Sequence, residues 1–151
     1  AVDSPDALLV MRRGEGQNVK AVVEKIKSQD KTASLAQIHN FEDRPWGRFE
    51  VLLDTDHFKS KRIWVWPKQK LSYQSHNKRA EHWIITQGTA EVTLDDKIHT
   101  LKAGEHIFIP LQAKHRIYNP GDTPVEFIEV QTGTYFGEDD IIRYSDYYGL
   151  T

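Results

Sequence analysis

Gln74-Ser75-His76-Asn77-Lys78-Arg79-Ala80-Glu81-His82-Trp83 is the stretch whose reading decides the fold. Gln74 and His76 are two apart, so on a strand they point to the same face. Glu81 follows after a gap suited to a tight turn. His115 stands roughly forty residues further on. An amide oxygen, a carboxylate oxygen and two imidazole nitrogens make a suitable ligand set for a divalent metal. Trp83 shares the Glu81 face and is expected to wall a pocket, with His82 turned away.

Working outward, short β runs surround this stretch. Residues 49–53, 61–66, 81–86, 89–94, 97–101, 106–110, 115–119 and 125–131 are each rich in β-branched and aromatic side chains. Asp95-Asp96 and Pro120-Gly121-Asp122 are turn candidates. Many short strands with frequent turns predict an all-β sandwich or barrel rather than a βαβ sheet. Trp46 and Trp66 read as core or rim packing more readily than as sugar platforms.

The first forty residues differ. Val19, Val22, Val23 and Ile26 recur at helical spacing, with Lys20, Glu24, Lys25 and Lys27 on the other face and Asn18 as an N-cap. Residues 28–40 are polar and read as a linker. The expected organisation is an appendage over residues 1–40 and a main domain over 41–151.

Composition limits the function. The formal net charge of −2 offers no field for nucleic acid or a membrane surface. No apolar run approaches the roughly 20 residues of a spanning helix. Cysteine is absent, which removes disulfides, thiol catalysis and thiolate ligands. The chain starts at Ala1 and its one methionine is Met11, as expected of a processed product or a piece of a longer protein.

Two spacings resemble the paired motifs of the cupin superfamily, a small jelly-roll barrel (double-stranded β-helix) that binds metal inside. One runs Lys68…Gln74-x-His76…Glu81…Gly88, the other Gly104…Pro110…His115…Asn119. Gln74 stands where many cupins have His, and Lys68 and Gln112 stand where the motifs usually carry Gly. Those two residues are expected to adopt allowed backbone angles at turns. The resemblance implies that Gln74, His76, Glu81 and His115 hold a divalent metal. Zn²⁺ is the first choice, and Mn²⁺, Fe²⁺, Co²⁺ or Ni²⁺ suit the same donors.

At finer grain, Arg44-Pro45-Trp46-Gly47, Leu71-Ser72-Tyr73-Gln74, Arg79-Ala80-Glu81-His82-Trp83, Lys114-His115-Arg116, Asn119-Pro120-Gly121 and Gly137-Glu138-Asp139-Asp140-Ile141-Ile142-Arg143 lie in order. Across residues 44–149 the chain resembles the type II mannose-6-phosphate isomerase domain. In that family this domain usually lies behind a mannose-1-phosphate guanylyltransferase. Asp6–Val10 and Gln17–Val23 are similar to the segment closing the transferase. No glycine-rich phosphate-cradling loop stands near the start, so nucleotidyl transfer is not expected of these residues alone.

The resemblance implies interconversion of mannose 6-phosphate and fructose 6-phosphate, supplying GDP-mannose and polysaccharide biosynthesis, in a cytoplasmic homodimer. Arg79 and Arg143 are candidates for phosphate or sugar contact, and Lys61 is an alternative if its strand turns it inward. Glu129, two residues before Gln131, is the candidate base. Each has a plainer reading: Arg79 as a turn cap, Arg143 as a balance for the acidic run 138–140, Glu129 as a solvated surface acid. One departure stands out. The family reads Tyr-Gly-Arg near its end, and here the sequence is Tyr148-Gly149-Leu150. The alternative expectation is therefore a catalytically silent sugar-phosphate-binding domain of a guanylyltransferase.

Overall fold

The structure is a computed structural model that describes residues 2–3, 8–29, 41–145 and 148–149. It divides into two compact units, residues 1–40 and 41–151. Leu150 lies outside the described residues, as does most of the proposed linker.

In the first unit, β1 (Val2–Asp3) pairs antiparallel with β2 (Leu8–Leu9). A 3₁₀ turn, Glu15–Asn18, leads into α1 (Val19–Lys27). Asn18 does not cap the helix. It has helical backbone angles, and its amide donates back to Glu15 inside the preceding turn. No residue of α1 is buried: Val19, Val23 and Ile26 are half-buried, and Val22 is exposed.

The second unit is all β. Its strands are β3 (Phe41–Arg44), β4 (Gly47–Asp54), β5 (Phe58–Val65), β6 (Tyr73–His76), β7 (Arg79–Gln87) and β8 (Thr89–Leu94). They continue as β9 (Lys97–Lys102), β10 (His106–Ile109), β11 (His115–Tyr118), β12 (Val125–Gly133) and β13 (Ile141–Ser145). Six strands form one sheet in the order β10-β7-β12-β5-β4-β3, and five form the other in the order β13-β6-β11-β8-β9. Within both sheets the strand pairings are antiparallel. Non-sequential neighbours such as β7-β12-β5 are the crossovers of a jelly roll.

Turn chemistry explains the connections. Asp95 and Asp96 have φ of 44° and 65°, the doubly left-handed pattern of a tight β-hairpin, and they join β8 to β9. Lys68 and Gln112 are also left-handed, at φ 61° and 64°. This region is open to L residues at a cost of about 1–2 kcal/mol, which glycine would not incur. The Gln112 turn is tied down, because its N–H donates to the His76 carbonyl at 2.8 Å.

One cluster drawn from both sheets forms the core, including Ile63, Val65, Trp83, Ile85, Val92, Ile117 and Phe127. Burying each large apolar side chain contributes roughly 1.5–3 kcal/mol. The inward rows of the central strands change character along their length. On β5 the buried residues run Lys61, Ile63, Val65; on β12, Gln131, Glu129, Phe127, Val125; on β7, Arg79, Glu81, Trp83, Ile85. Register sets Ile63 beside Phe127 and Lys61 beside Glu129. The apolar ends together make the core, and the polar ends together make a site.

Candidate metal centre and cavity

The tight turn between β6 and β7 brings His76 and Glu81 together, and β11 runs beside β6 with His115 opposite Gln74. His76 Nε2 lies 3.1 Å from Glu81 Oε1, and His115 Nε2 lies 3.5 Å from Glu81 Oε2. Potential ligand atoms of these three side chains all lie within 4.8 Å of one another, and all three residues are buried.

These atoms fit a cation better than they fit one another. Both ring nitrogens of His76, and Nε2 of His115, are buried without a hydrogen-bond partner. An unmade hydrogen bond at a buried polar atom costs about 1–3 kcal/mol. His115 Nδ1 sits 2.9 Å from the Ala113 carbonyl, an arrangement that assigns the ring proton to Nδ1 and leaves the Nε2 lone pair facing Glu81. Burial pushes the His115 pKa down against the opposing pull of Glu81, which favours the neutral imidazole that ligates metal. For Glu81, burial alone would raise the pKa. The neighbouring imidazoles of His76 and His115, with the Arg79 charge, outweigh it and hold the carboxyl well below the usual range. The donor set, two imidazoles and one carboxylate, could hold a divalent metal.

Gln74 shares the His115 face as its cross-strand partner, and its Oε1 accepts from Ser72 Oγ at 2.8 Å. It lines a cavity of about 360 Å³ together with Glu81, Lys61, Glu129 and Arg143. Arg79 is buried; its Nη1 donates to the Gly137 carbonyl at 2.9 Å and its Nε lies 3.4 Å from Glu81 Oε1. Lys61 faces inward and pairs with Glu138 at 3.2 Å. Arg143 is half-buried and, among the described residues, forms no ion pair with the acidic run beside it. That run is engaged elsewhere: Asp140 accepts from the Asn77 and Lys78 N–H groups, and Asp139 accepts from Tyr135.

Glu129 is buried, not a surface acid. Burial first, then the Glu81 charge, pushes its pKa up to about 8, against Lys61 and Arg79. Trp83 is buried behind Glu81, while His82 is exposed and stacks on Phe108. Trp46 is a core residue and Trp66 is 37% exposed.

Gln131, two residues from Glu129 on one strand, is expected from its spacing to share the cavity face, and the structure adds that its Nε2 donates to Glu129 Oε1 at 2.7 Å. Glu138 looked like one member of an acidic run, and no local signal pairs it with a lysine 77 residues away.

Residues 30–146 match the family described as mannose-6-phosphate isomerase C-terminal. The chain belongs to this family. It is 47% identical to the xanthan biosynthesis protein XanB of Xanthomonas campestris pv. campestris (strain B100), over 99% of this chain and 32% of that protein. It is 43% identical to a mannose-1-phosphate guanylyltransferase of Escherichia coli K12, over 98% of this chain and 30% of that protein. The chain thus spans about a third of the length of these curated relatives. Among solved structures it is similar to the cupin domain of Schizosaccharomyces pombe Cnp3, with a TM-score of 0.59 and 16% identity, over 64% of this chain and 70% of that one. That likeness shows the cupin fold. Among the described residues no helix is long and apolar enough to cross a membrane.

Proposed function

We propose that this chain is a metal-dependent aldose–ketose isomerase domain interconverting mannose 6-phosphate and fructose 6-phosphate. The observation that carries the reading is a buried His76–Glu81–His115 cluster, with unpartnered imidazole nitrogens, whose carboxylate borders a cavity lined by cations. Membership of the mannose-6-phosphate isomerase C-terminal family supports the substrate class.

In this reading His76, Glu81 and His115 hold the metal, and Gln74 joins them through its amide oxygen. Zn²⁺ is the proposed ion; Mn²⁺, Fe²⁺, Co²⁺ and Ni²⁺ suit the same donors. When bound, the metal supplies a Lewis acid for the carbonyl and for the negative charge that develops on its oxygen. The isomerisation moves a proton between C2 and C1 of the open-chain sugar through an enediol. Glu129 would take the proton from one carbon and return it to the other, while the hydroxyl proton passes between O2 and O1 of the enediol. In the metal-free protein, burial and then the neighbouring Glu81 charge hold this carboxyl above its usual range, and a general base works best when its pKa lies near the working pH. Arg79 orients Glu81 and closes the site against the Gly137 carbonyl. Lys61 and Arg143 supply positive charge for the phosphate.

The relatives support a wider biosynthetic setting. We propose that residues 1–40 correspond to the tail of a guanylyltransferase domain, that the main domain forms homodimers, and that it works in the cytoplasm in GDP-mannose and polysaccharide biosynthesis. A coupled assay for fructose 6-phosphate formed from mannose 6-phosphate, run with and without chelator, tests the central claim. Turnover abolished by chelator and restored by Zn²⁺ is expected; no metal-dependent turnover in pure protein overturns it. Leu150, where the family pattern has arginine, favours a second reading, a silent domain that binds sugar phosphate for a guanylyltransferase. Sugar-phosphate binding without turnover selects that reading.

A further inference from the structure

Glu138 is the acid in the cavity wall with the most cationic surroundings. Its carboxylate lies 3.2 Å from Lys61 Nζ. Lys61 is buried, with its Nζ 4.9 Å from the centre of the Phe49 ring, so its charge has little access to water. The charges of Arg79 and Arg44 also act on Glu138. All four side chains line the same cavity. Yet the Glu138 side chain is itself 56% exposed. The carboxylate thus stands half in solvent, on the short turn Glu138–Asp140, while its lysine partner is buried.

The neighbouring contacts show why Glu138 can leave without disturbing that turn. Arg79 holds the turn through the Gly137 carbonyl, and Asp140 holds it through the Asn77 and Lys78 N–H groups. Neither anchor uses the Glu138 side chain. Arg79 also reaches Glu81, so it stands between the Glu138 end of the cavity and the metal cluster.

We propose that Glu138 is a resident counter-anion occupying the subsite for a substrate phosphate, and that phosphate binds by displacing its carboxylate from Lys61. This rests on the sugar-phosphate reading above but specifies where the anion sits and what it must replace. The carboxylate neutralises Lys61 while the cavity is empty. It sets a threshold that singly charged or neutral sugars do not cross, because a phosphate dianion repays the lost ion pair and a hydroxyl does not.

The test is titration of the full chain with inorganic phosphate, which needs no turnover. Glu138→Gln removes the competing charge and keeps the size, and it is expected to bind phosphate about tenfold tighter than the wild type. Lys61→Met is expected to bind about tenfold weaker. Thermal melts accompany both. Unchanged or weaker binding by Glu138→Gln overturns the proposal, and so does undiminished binding by Lys61→Met. If Glu138→Gln does not fold, Glu138 has a structural duty and is not displaceable, which also overturns it. Failure of the isomerase assay with the phosphate results as expected would leave the subsite standing and remove only the catalytic reading. Turnover without these phosphate effects would do the reverse.

Discussion

Glu81 and Glu129 stand diagonally across adjacent antiparallel strands and share the same two donors. Register places Glu129 opposite Trp83 and Gln131 opposite Glu81. Trp83 Nε1 lies 3.0 Å from Glu81 Oε2 and 3.1 Å from Glu129 Oε2, and Gln131 Nε2 lies 3.3 Å from Glu81 Oε1 and 2.7 Å from Glu129 Oε1. Acids and donors thus alternate around a square on the inner face of the sheet. Each donor faces two carboxyl groups, which limits how far either acid can move alone.

Trp83→Phe removes one of these donors while keeping most of the ring. A hydrogen bond to a charged group is worth about 1.5–3 kcal/mol, so a stability loss of that order is expected by denaturant titration. Groups that orient a metal ligand commonly change affinity by about tenfold to a hundredfold, and Zn²⁺ calorimetry should show weakening in that range. Unaltered Zn²⁺ affinity would mean that the indole N–H has no hold on Glu81.

The raised pKa of Glu129 makes the metal-free protein pH-sensitive. Between its ordinary value near 4.5 and the folded value of about 8, the folded chain keeps a proton that the unfolded chain has lost. The folded state then binds more protons, so stability falls as pH rises through this window. The contribution is fully present below the unfolded pKa and is gone above about 8. In chelator, Glu129→Gln should flatten the pH dependence of the melting temperature. An equally steep curve in the variant would assign that dependence to another group.

His76→Ala and His115→Ala each remove one of the two imidazoles of the cluster that could hold a metal. Zn²⁺ binding should fall by at least a hundredfold in either variant, and metal-dependent turnover should vanish with it. Isomerase activity surviving in the double variant would refute the metal assignment.

Gly47 has no room for a side chain. A Cβ there would lie 1.8 Å from the Trp64 carbonyl oxygen, and backbone cannot yield as a flexible side chain can. Gly47→Ala should therefore destabilise the β4–β5 pairing by about 3 kcal/mol. A melting temperature within a degree or two of wild type would show that the strands separate easily.

Leu150→Arg introduces the arginine that the sequence resemblance leads one to expect at this position. If that guanidinium reaches phosphate, kcat/KM for mannose 6-phosphate should rise roughly tenfold to a hundredfold, the value of one charged hydrogen bond. No gain would dissociate Leu150 from the level of activity.

Period-two alternation was enough to place most strands, because burial on one face forces every second residue to be apolar or otherwise accommodated. Residues 81–86 sit inside β7 and 125–131 inside β12 as expected. β3, β6 and β13 fall outside the expected β runs, although Gln74 and His76 are read on one strand face: Phe41-Glu42-Asp43-Arg44, Tyr73-Gln74-Ser75-His76 and Ile141-Ile142-Arg143-Tyr144-Ser145 show no clear alternation of apolar and polar side chains. On β6 and β13 the inner positions face the polar end of the barrel, where Gln74, Ile141 and Arg143 line the cavity, so the feature that makes the site also blurs the strand signal. Asn18 failed as a helix cap for a local reason: the 3₁₀ turn before α1 already engages its amide with Glu15.

The sequence by itself determined the β character, the family and the kinds of atom available at the centre. Those follow from residue type and short spacing, which a single chain displays directly. Only the tertiary structure decided which charges meet. Lys61 joins Glu138 across 77 residues, and Glu129 comes to share donors with Glu81 through the β7–β12 register. A slip of one residue would turn Lys61, Glu81 or Glu129 to the opposite face of its sheet. Register is set by the whole packed core, so the electrostatics of the cavity exist only once Ile63, Trp83 and Phe127 have closed it.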